Sequence, residues 1–209
     1  MQRTLPLVLV GLALAACEHD SSPPPPAPTN TAALTPTPTA ASTSTSTSTS
    51  PSAPSSTPTT TSASSLAIGS PPPDFTAKAS DGTSVHLAAL KGKPVVVYFY
   101  PKDETPGCTK EACSFRDAWD NLQKMGVVLI GVSGDTDDSH KGFASHYKLP
   151  FLLVSDPNGE LAAKFGVPFT NGYAARQSFV IGPDGNVKKI YRKVDVSVHA
   201  QEIASDVQR

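Results

Sequence analysis

The chain has 209 residues, 38% of them hydrophobic, and its 17 basic and 18 acidic side chains give a formal net charge of −1. This balance excludes a nucleic-acid-binding protein of the basic type, because such proteins carry clustered positive charge. Residues 66–209 contain 16 basic and 16 acidic side chains, and their 144 residues are enough for one domain with a sizeable core.

The first 16 residues have the form of an export signal. A single basic residue, Arg3, precedes an apolar run from Leu5 to Ala16 that is too short to span a bilayer as a mature helix. Leu14-Ala15-Ala16-Cys17 resembles the bacterial lipoprotein box, in which the cysteine is lipidated and becomes the mature N-terminus. Residues 1–16 are therefore predicted to be a lipoprotein signal peptide, with an ordinary secretory signal as the alternative.

The next segment cannot form a core. Residues 21–65 contain 26 Ser or Thr, 10 Pro and 7 Ala, and no charged or aromatic residue. Because large apolar side chains are missing, nothing offsets the entropy of ordering this backbone. Residues 17–65 are therefore predicted to be a lipidated cysteine followed by a disordered tether, which holds a domain at 66–209 near a membrane.

The domain begins with a predicted hairpin, since Asp81-Gly82 is a turn signal and Val85 to Leu87 has the pattern of a returning strand. A short helical turn is then expected to stop at Gly92. Residues 94–100 have the length and composition of a buried strand. From Cys108 onwards, apolar residues recur at spacings of three and four, which predicts a helix that continues to Gly126.

Cys108 is thus expected at the start of a helix that follows a strand and a polar loop. The first N–H groups of a helix lack partners and carry partial positive charge, which favours a thiolate, the nucleophilic form of cysteine. Thr105 is placed to offer a hydroxyl to the sulfur or to a reacting oxygen. Cys113 follows at five residues, a separation too long for a disulfide on an intact helix. Joining the two would require the first turns to unwind.

Downstream, the strand and helix patterns alternate as βαβαβ, which implies a parallel core. The predicted elements are a strand at 127–133, a helix at 139–147 and a strand at 151–155. A short helix is expected at 161–165 and a strand at 178–181. A turn at 183–186 then leads to an antiparallel strand at 187–192, and a closing helix begins at about 198.

Other kinds of chemistry find little support in the sequence. The histidines are scattered, and zinc-finger spacing, a phosphate-binding glycine loop and a Gly-x-Ser-x-Gly elbow are all missing. Asp103 and Glu104, which lie in the loop before the helix, are interpreted as solvated carboxylates. His140 is interpreted as a surface or hydrogen-bonded histidine, not as a metal ligand.

Pro101-x-x-x-Thr105-x-x-Cys108 resembles the active-site signature of peroxiredoxins. Cys108-x-x-x-x-Cys113 is similar to the bacterioferritin co-migratory protein group, also called peroxiredoxin Q, and the resemblance covers about residues 66–209. It implies a thioredoxin-like α/β fold, with a central mixed β-sheet flanked by helices. It also implies a thiol-dependent peroxidase that reduces hydrogen peroxide and alkyl hydroperoxides in antioxidant defence and redox homeostasis.

By this resemblance, Cys108 is expected to be the peroxidatic cysteine and Cys113 the resolving one, and a thioredoxin-like donor is expected to reduce their disulfide. Arg176 matches the arginine of the group's active site and would stabilise the thiolate and orient the peroxide. Pro101 would shape the loop and shield the sulfur. Gln177 stands where the group usually has Ser or Thr. No metal, haem, flavin or other cofactor is expected, and the protein is expected to be a monomer.

Two other classes of protein remain open. A thiol-disulfide oxidoreductase also uses a cysteine at a helix start, although its usual Cys-x-x-Cys motif would need a cysteine in place of Thr105. An exported binding domain with a permanent disulfide between Cys108 and Cys113 is the other. In either case the predicted location is the same: exported and lipid-anchored through Cys17 to a bacterial membrane, facing the periplasm in a Gram-negative cell.

Overall fold

The computed structural model describes residues 66–209. The predicted signal peptide, the lipidation site at Cys17 and the tether lie outside the described residues. The strands in chain order are β1 (Thr76–Lys78), β2 (Ser84–His86), β3 (Val95–Phe99), β4 (Val128–Ser133), β5 (Leu152–Ser155), β6 (Phe169–Thr170), β7 (Tyr173–Ala174), β8 (Gln177–Ile181) and β9 (Val187–Tyr191). The helices are α1 (Pro106–Asp117), α2 (Trp119–Lys124), α3 (Asp137–Tyr147), α4 (Glu160–Lys164) and α5 (His199–Gln208), with a 3-10 turn at Leu87–Leu90.

Five strands form the central sheet in the order β5-β4-β3-β8-β9. β3, β4 and β5 pair in parallel, as the βαβαβ pattern predicted. β8 pairs antiparallel with both β3 and β9, so the sheet is mixed. The short hairpin of β1 and β2 also forms where Asp81-Gly82 predicted it.

The central strand β3 is buried along its whole length because both faces of the sheet are covered. Val95, Val97 and Phe99 enter one core, which also contains side chains of β4, β8 and α4. Val96 and Tyr98 enter the other core, with side chains of α1, α3 and α5. Successive side chains of a strand point to opposite faces, so one apolar run supplies both cores. The carboxyl end of β3 is therefore held between the two hydrophobic cores.

Two features of the fold were not predicted from the sequence. The helix expected to run from Cys108 to Gly126 is divided at Ala118, whose N–H bonds to the carbonyls of both Ser114 and Arg116. The hairpin of β6 and β7 was not predicted, because strands of two residues are too short to show a periodic pattern. Within residues 66–209, none of the helices is long and apolar enough to cross a membrane.

Candidate active site

Cys108 lies in the first turn of α1. The helix begins at Pro106, two residues earlier than predicted, because proline at the first helical position has its backbone angle preset and lacks an N–H that would otherwise be unpaired. Thr105 precedes the helix with extended backbone angles. The Cys108 side chain is buried, and the unpaired N–H groups of this first turn carry partial positive charge. The position at a helix start that the sequence predicted for Cys108 is therefore present.

Arg176 reaches Cys108 from the strand next to β3 in the sheet. It lies directly before β8, and β8 pairs with β3 so that Gln177 stands opposite Phe99, at the end of β3 that leads to α1. Arg176 Nη2 donates to Cys108 Sγ at 3.1 Å. A guanidinium at this distance can donate a charge-assisted hydrogen bond to a negatively charged sulfur or oxygen.

The same guanidinium also contacts Glu111, which was not predicted from the sequence to belong to the site. Arg176 Nη1 donates to Glu111 Oε2, and the Glu111 side chain is 1% exposed. Burial raises the pKa of Glu111 from 4.5 to about 7, even though Arg176 acts in the opposite direction. The sequence spacing could have indicated Glu111, because Cys108 and Glu111 are three residues apart and therefore share a helix face.

A buried histidine of α5 stands behind Glu111. His199 Nε2 lies 2.9 Å from Ser178 Oγ and 3.9 Å from Glu111 Oε1. Burial, assisted by the positive charge of Arg176, lowers the pKa of His199 to about 4. His199 is consequently neutral at neutral pH and adds no second positive charge beside Arg176.

Thr105 and Pro101 frame the loop that enters the helix. Thr105 Oγ1 donates to the Lys102 carbonyl at 2.9 Å, so in this state its hydroxyl bonds within the loop. The Thr105 carbonyl accepts from Thr109 N at 2.8 Å, which closes the first helical turn. Pro101 is half-buried and lies two residues after the end of β3. The expected contact between the Thr105 hydroxyl and a reacting oxygen remains a prediction.

Cys113 is buried farther along α1, and it is not joined to Cys108 in a disulfide. The helix is continuous from Pro106 to Asp117, so both thiols lie on folded helix. The structure is thus the fully folded arrangement that the sequence predicted for the reduced protein.

The interpretation of Asp103 as a solvated carboxylate is wrong. Its side chain is 2% exposed and accepts hydrogen bonds from Tyr100 and Ser139, while His140 Nδ1 lies 2.9 Å away. Neighbouring Glu104 is 47% exposed and has a φ of 59°. This left-handed backbone turns the two carboxylates in different directions, which composition alone could not indicate.

His140, too, is fully buried, and of its two sequence interpretations the hydrogen-bonded one is correct. Burial alone would raise the pKa of Asp103, but the hydrogen bond and charge of His140, helped by Ser139 and Tyr100, outweigh it and lower that pKa. Among residues 66–209, no group of three or more His, Cys, Asp or Glu side chains could hold a metal ion.

Comparisons with known proteins show which sequences and solved structures the chain resembles. Residues 68–190 match the model of the AhpC/TSA family. The chain is 50% identical over 125 residues to "Peroxiredoxin Q, chloroplastic" of Gentiana triflora, covering 59% of this chain and 58% of that protein. It therefore spans less than two thirds of the length of this relative.

A shorter relative is covered almost completely. A Coxiella burnetii protein named as a peroxiredoxin of the bcp type is 42% identical over 146 residues, covering 66% of this chain and 97% of the relative. Among solved structures, the bacterioferritin comigratory protein of Xanthomonas campestris, described for its alkyl peroxide reduction activity, is 34% identical with a TM-score of 0.60. That match covers 64% of this chain and 90% of the other, and it confirms the predicted thioredoxin-like fold.

Proposed function

Because this chain belongs to the AhpC/TSA family, and within it to the peroxiredoxin Q/BCP group, we propose that it is a thiol-dependent peroxidase acting through Cys108. Its substrates are hydrogen peroxide and alkyl hydroperoxides, and its role is antioxidant defence. The observation that carries this proposal is the guanidinium of Arg176, 3.1 Å from the buried sulfur of Cys108 at a helix start. One group there stabilises both the attacking thiolate and the oxygen that becomes negative.

In the first step, the Cys108 thiolate attacks the terminal oxygen of the hydroperoxide. An S–O bond forms and the O–O bond breaks, so sulfur is oxidised and the peroxide is reduced. The leaving oxygen gains a proton and departs as water or an alcohol, while Cys108 becomes a sulfenic acid. Arg176 and the N–H groups of the first turn of α1 bind the two peroxide oxygens in line. Thr105 supplies a hydroxyl beside them.

In the second step, the Cys113 thiolate attacks the sulfur of the Cys108 sulfenic acid. A disulfide forms and the hydroxyl leaves as water after protonation. Because the two cysteines are five residues apart on one helix, the amino-terminal turns of α1 unwind first. A thioredoxin-like dithiol then reduces the disulfide by exchange and is itself oxidised.

Rapid mixing of the reduced protein with equimolar hydrogen peroxide tests the first step. Samples are quenched with a thiol-blocking reagent and their intact mass is measured. Loss of both thiols within seconds, as one internal disulfide, is the expected result. Survival of both thiols for minutes, as for free cysteine, would contradict the proposal, and insulin reduction would then test for a thiol-disulfide oxidoreductase.

Two variants separate the roles of the cysteines. Cys108→Ser should abolish turnover, because it removes the nucleophile. Cys113→Ser should still be oxidised once but should stop at sulfenic acid, which a dimedone adduct on Cys108 would detect. Normal cycling of Cys113→Ser with thioredoxin would argue against the resolving role of Cys113.

We also propose that the protein is exported and lipid-anchored, on the basis of Leu14-Ala15-Ala16-Cys17. Expression of the full chain in a bacterium, followed by membrane fractionation and mass analysis of the amino-terminal peptide, tests this location. The expected result is a diacylglyceryl group on Cys17 and recovery with membranes, which Cys17→Ser should abolish. Equal recovery of both proteins in the soluble fraction would overturn the anchor while leaving the peroxidase proposal unaffected.

A further inference from the structure

Two neighbouring acids of the active-site loop, residues 101–105, each meet a histidine of α3. Asp103 faces His140 at 2.9 Å, with the two side chains 2% and 0% exposed. Glu104 faces His146 at 3.2 Å, with the two side chains 47% and 64% exposed. The pairs have the same chemistry and join the same two parts of the protein. They differ in burial, and neither has a part in the steps proposed above.

We propose that Asp103 is a positioning residue, which anchors the active-site loop to α3 so that unwinding of α1 begins after Thr105 and leaves the loop in place. This inference rests on the proposed function, in which α1 must unwind and refold in every cycle. The residues that frame the peroxide would then stay arranged while Cys108 moves to Cys113.

The contacts of Asp103 all lead to parts of the protein outside α1. Its Oδ1 accepts from the Tyr100 hydroxyl at 2.8 Å, and its Oδ2 accepts from Ser139 Oγ at 2.8 Å. His140 directs Nδ1 at the same Oδ2, and its Nε2 has no hydrogen-bond partner among the described residues. A buried carboxylate that loses such partners is costly, so the anchor resists opening.

The backbone of Asp103 is held as well. Its N–H donates to Asp135 Oδ2 at 2.8 Å, and that oxygen also accepts from Ser133 Oγ at the end of β4. Side chain and backbone thus tie the loop to two elements, α3 and β4. Beyond Thr105, the first bond is of a different kind, since Thr109 N donates to the Thr105 carbonyl within the helix itself.

The far end of α1 is tied to α3 in a similar way. Arg116 Nη1 donates to the Tyr147 carbonyl at 3.0 Å. The segment between the two ties, residues 106–115, contains both cysteines. Local unfolding takes place in roughly contiguous cooperative units, and backbone tied to the rest of the protein opens less easily than backbone that is not. The anchor at Asp103 and the tie at Arg116 therefore set the limits of the segment that unwinds.

Substitution of the anchor tests the inference, and the exposed pair supplies a matched control. Asp103→Asn keeps the shape of the side chain but removes its charge, whereas Glu104→Gln makes the same change at the solvent-exposed pair. We expect Asp103→Asn to slow oxidation of Cys108 about tenfold, which is the effect of losing one hydrogen bond to a charged group at a positioned site. Glu104→Gln should stay within about twofold of wild type, as surface pairs contribute little.

Ser139→Ala removes only one hydroxyl from the anchor and covers the case in which Asp103→Asn does not fold. It should slow the same step by a smaller factor, and Asp103→Glu should not restore the rate, because the longer side chain cannot occupy the same buried site. Rates of Ser139→Ala and Asp103→Asn equal to that of Glu104→Gln would overturn the inference.

Hydrogen exchange of the Asp103 and Thr109 amides distinguishes the two roles, because substitution of a residue that only stabilises the fold would not change the order in which these amides exchange. Oxidation with diamide, which needs no peroxidase activity, should expose the Thr109 amide in wild type but leave the Asp103 amide protected. In Asp103→Asn, the amide at position 103 should lose protection together with that of Thr109. Joint loss of both amides in wild type would overturn the inference.

The failure of the proposed function would look different. Slow reaction of wild-type Cys108 with peroxide would refute the proposed peroxidase activity. The order in which the Thr109 and Asp103 amides exchange could still be measured. The same two amides are therefore also compared in reduced protein in rising urea, where Thr109 should exchange through a lower-energy opening than Asp103. Exchange of both through one opening would overturn the inference whether or not a disulfide forms.

Discussion

Arg176 has two acidic partners at once, because its Nη2 faces Cys108 and its Nη1 faces Glu111. Burial would lower the pKa of Arg176, but the charges of Glu111 and Cys108 outweigh burial and raise it. The guanidinium therefore remains charged, and its planar fork fixes the positions of sulfur and carboxylate relative to each other. A lysine ammonium, which is a single point charge, cannot reproduce this arrangement.

Substitution of Arg176 by lysine should slow oxidation of Cys108 by hydrogen peroxide about 10- to 100-fold, the effect of losing one charge-assisted hydrogen bond at the reacting centre. The rate is measured by rapid mixing, quenching with a thiol-blocking reagent and intact-mass analysis. Arg192→Lys is the control, since Arg192 donates to Gln177 and not to Cys108. Equal rates for the two lysine variants would show that a positive charge alone is enough.

Glu111 gives a prediction for stability. Its pKa is raised from 4.5 to about 7, so between these pH values the folded protein keeps a proton that the unfolded protein releases. The free energy of unfolding contributed by this group is therefore full below pH 4.5 and falls as the pH rises towards 7. Glu111→Gln cannot ionise, and its stability relative to wild type should rise across this window by up to roughly 3 kcal/mol.

Urea unfolding of wild type and Glu111→Gln at several pH values measures this difference. Glu160→Gln, which changes an exposed carboxylate of α4, serves as the control for the loss of one negative charge. Parallel stability profiles of wild type and Glu111→Gln between pH 4.5 and 7 would contradict the raised pKa.

At the scale of single residues, the sequence identified site residues that belong to a periodic pattern or a motif. It did not indicate residues whose role depends on the direction in which the side chain points. Cys108 and Thr105 were found from their position before a helical period, and Arg176 from a resemblance. Asp103 was misassigned because the left-handed turn at Glu104, which separates the two neighbouring carboxylates, leaves no mark in composition. Burial of charged residues is decided by tertiary contacts, and a polar loop gives no sign of them.

At the scale of elements, the start of α1 balances stability against the need to unwind. Pro106 presets the first turn, but Gly107 follows and weakens it, since glycine has more backbone freedom to lose than alanine. A Cβ at position 107 would lie 3.5 Å from Arg176 Nη2, an ordinary contact. Alanine therefore fits at this position without displacing the guanidinium.

Gly107→Ala should stabilise the folded start of α1 by up to about 1 kcal/mol and slow disulfide formation up to about fivefold. Slower resolution leaves sulfenic acid exposed to more peroxide, so the fraction of Cys108 that reaches sulfinic acid should rise. Intact mass after a peroxide titration measures that fraction. Gly142→Ala is the matched control, because it makes the same change in α3, where a Cβ meets nothing within 4 Å. A similar sulfinic fraction in both variants would contradict this account of α1.

The elements that were predicted well are those whose burial produces a pattern. β3, β4 and β5 were recognised as strands that alternate with helices, and this alternation indicated a parallel core. Strands buried on both faces read as continuous hydrophobic stretches. Helix limits were less accurate: α3 begins at Asp137 instead of Ser139, because Thr136 accepts from Ser139 N and adds a turn of polar residues. The acids of that first turn carry no apolar period, so periodicity alone could not include them.

At the scale of the whole molecule, the site is positioned by a sheet that has a hydrophobic core on each of its two faces. Cys108, Ala112 and Phe115 of α1 pack into one core, so the reactive sulfur is held by the same layer that covers the sheet. The opposite core receives Leu66, and Gly69 N donates to the Val187 carbonyl at 2.7 Å. The first described residues are thus part of the packed domain.

A protein of residues 66–209 should accordingly oxidise Cys108 with the same second-order rate constant as the full chain, within about twofold, because it contains the nucleophile and Arg176. Both hydrophobic cores and Arg176, which donates to Cys108, lie in this part of the sequence. Stopped-flow oxidation of both proteins by hydrogen peroxide measures the constants, with Cys108→Ser of the shorter protein as the blank. A rate at least tenfold lower for the shorter protein would show that residues 1–65 contribute to the active site as well as to location.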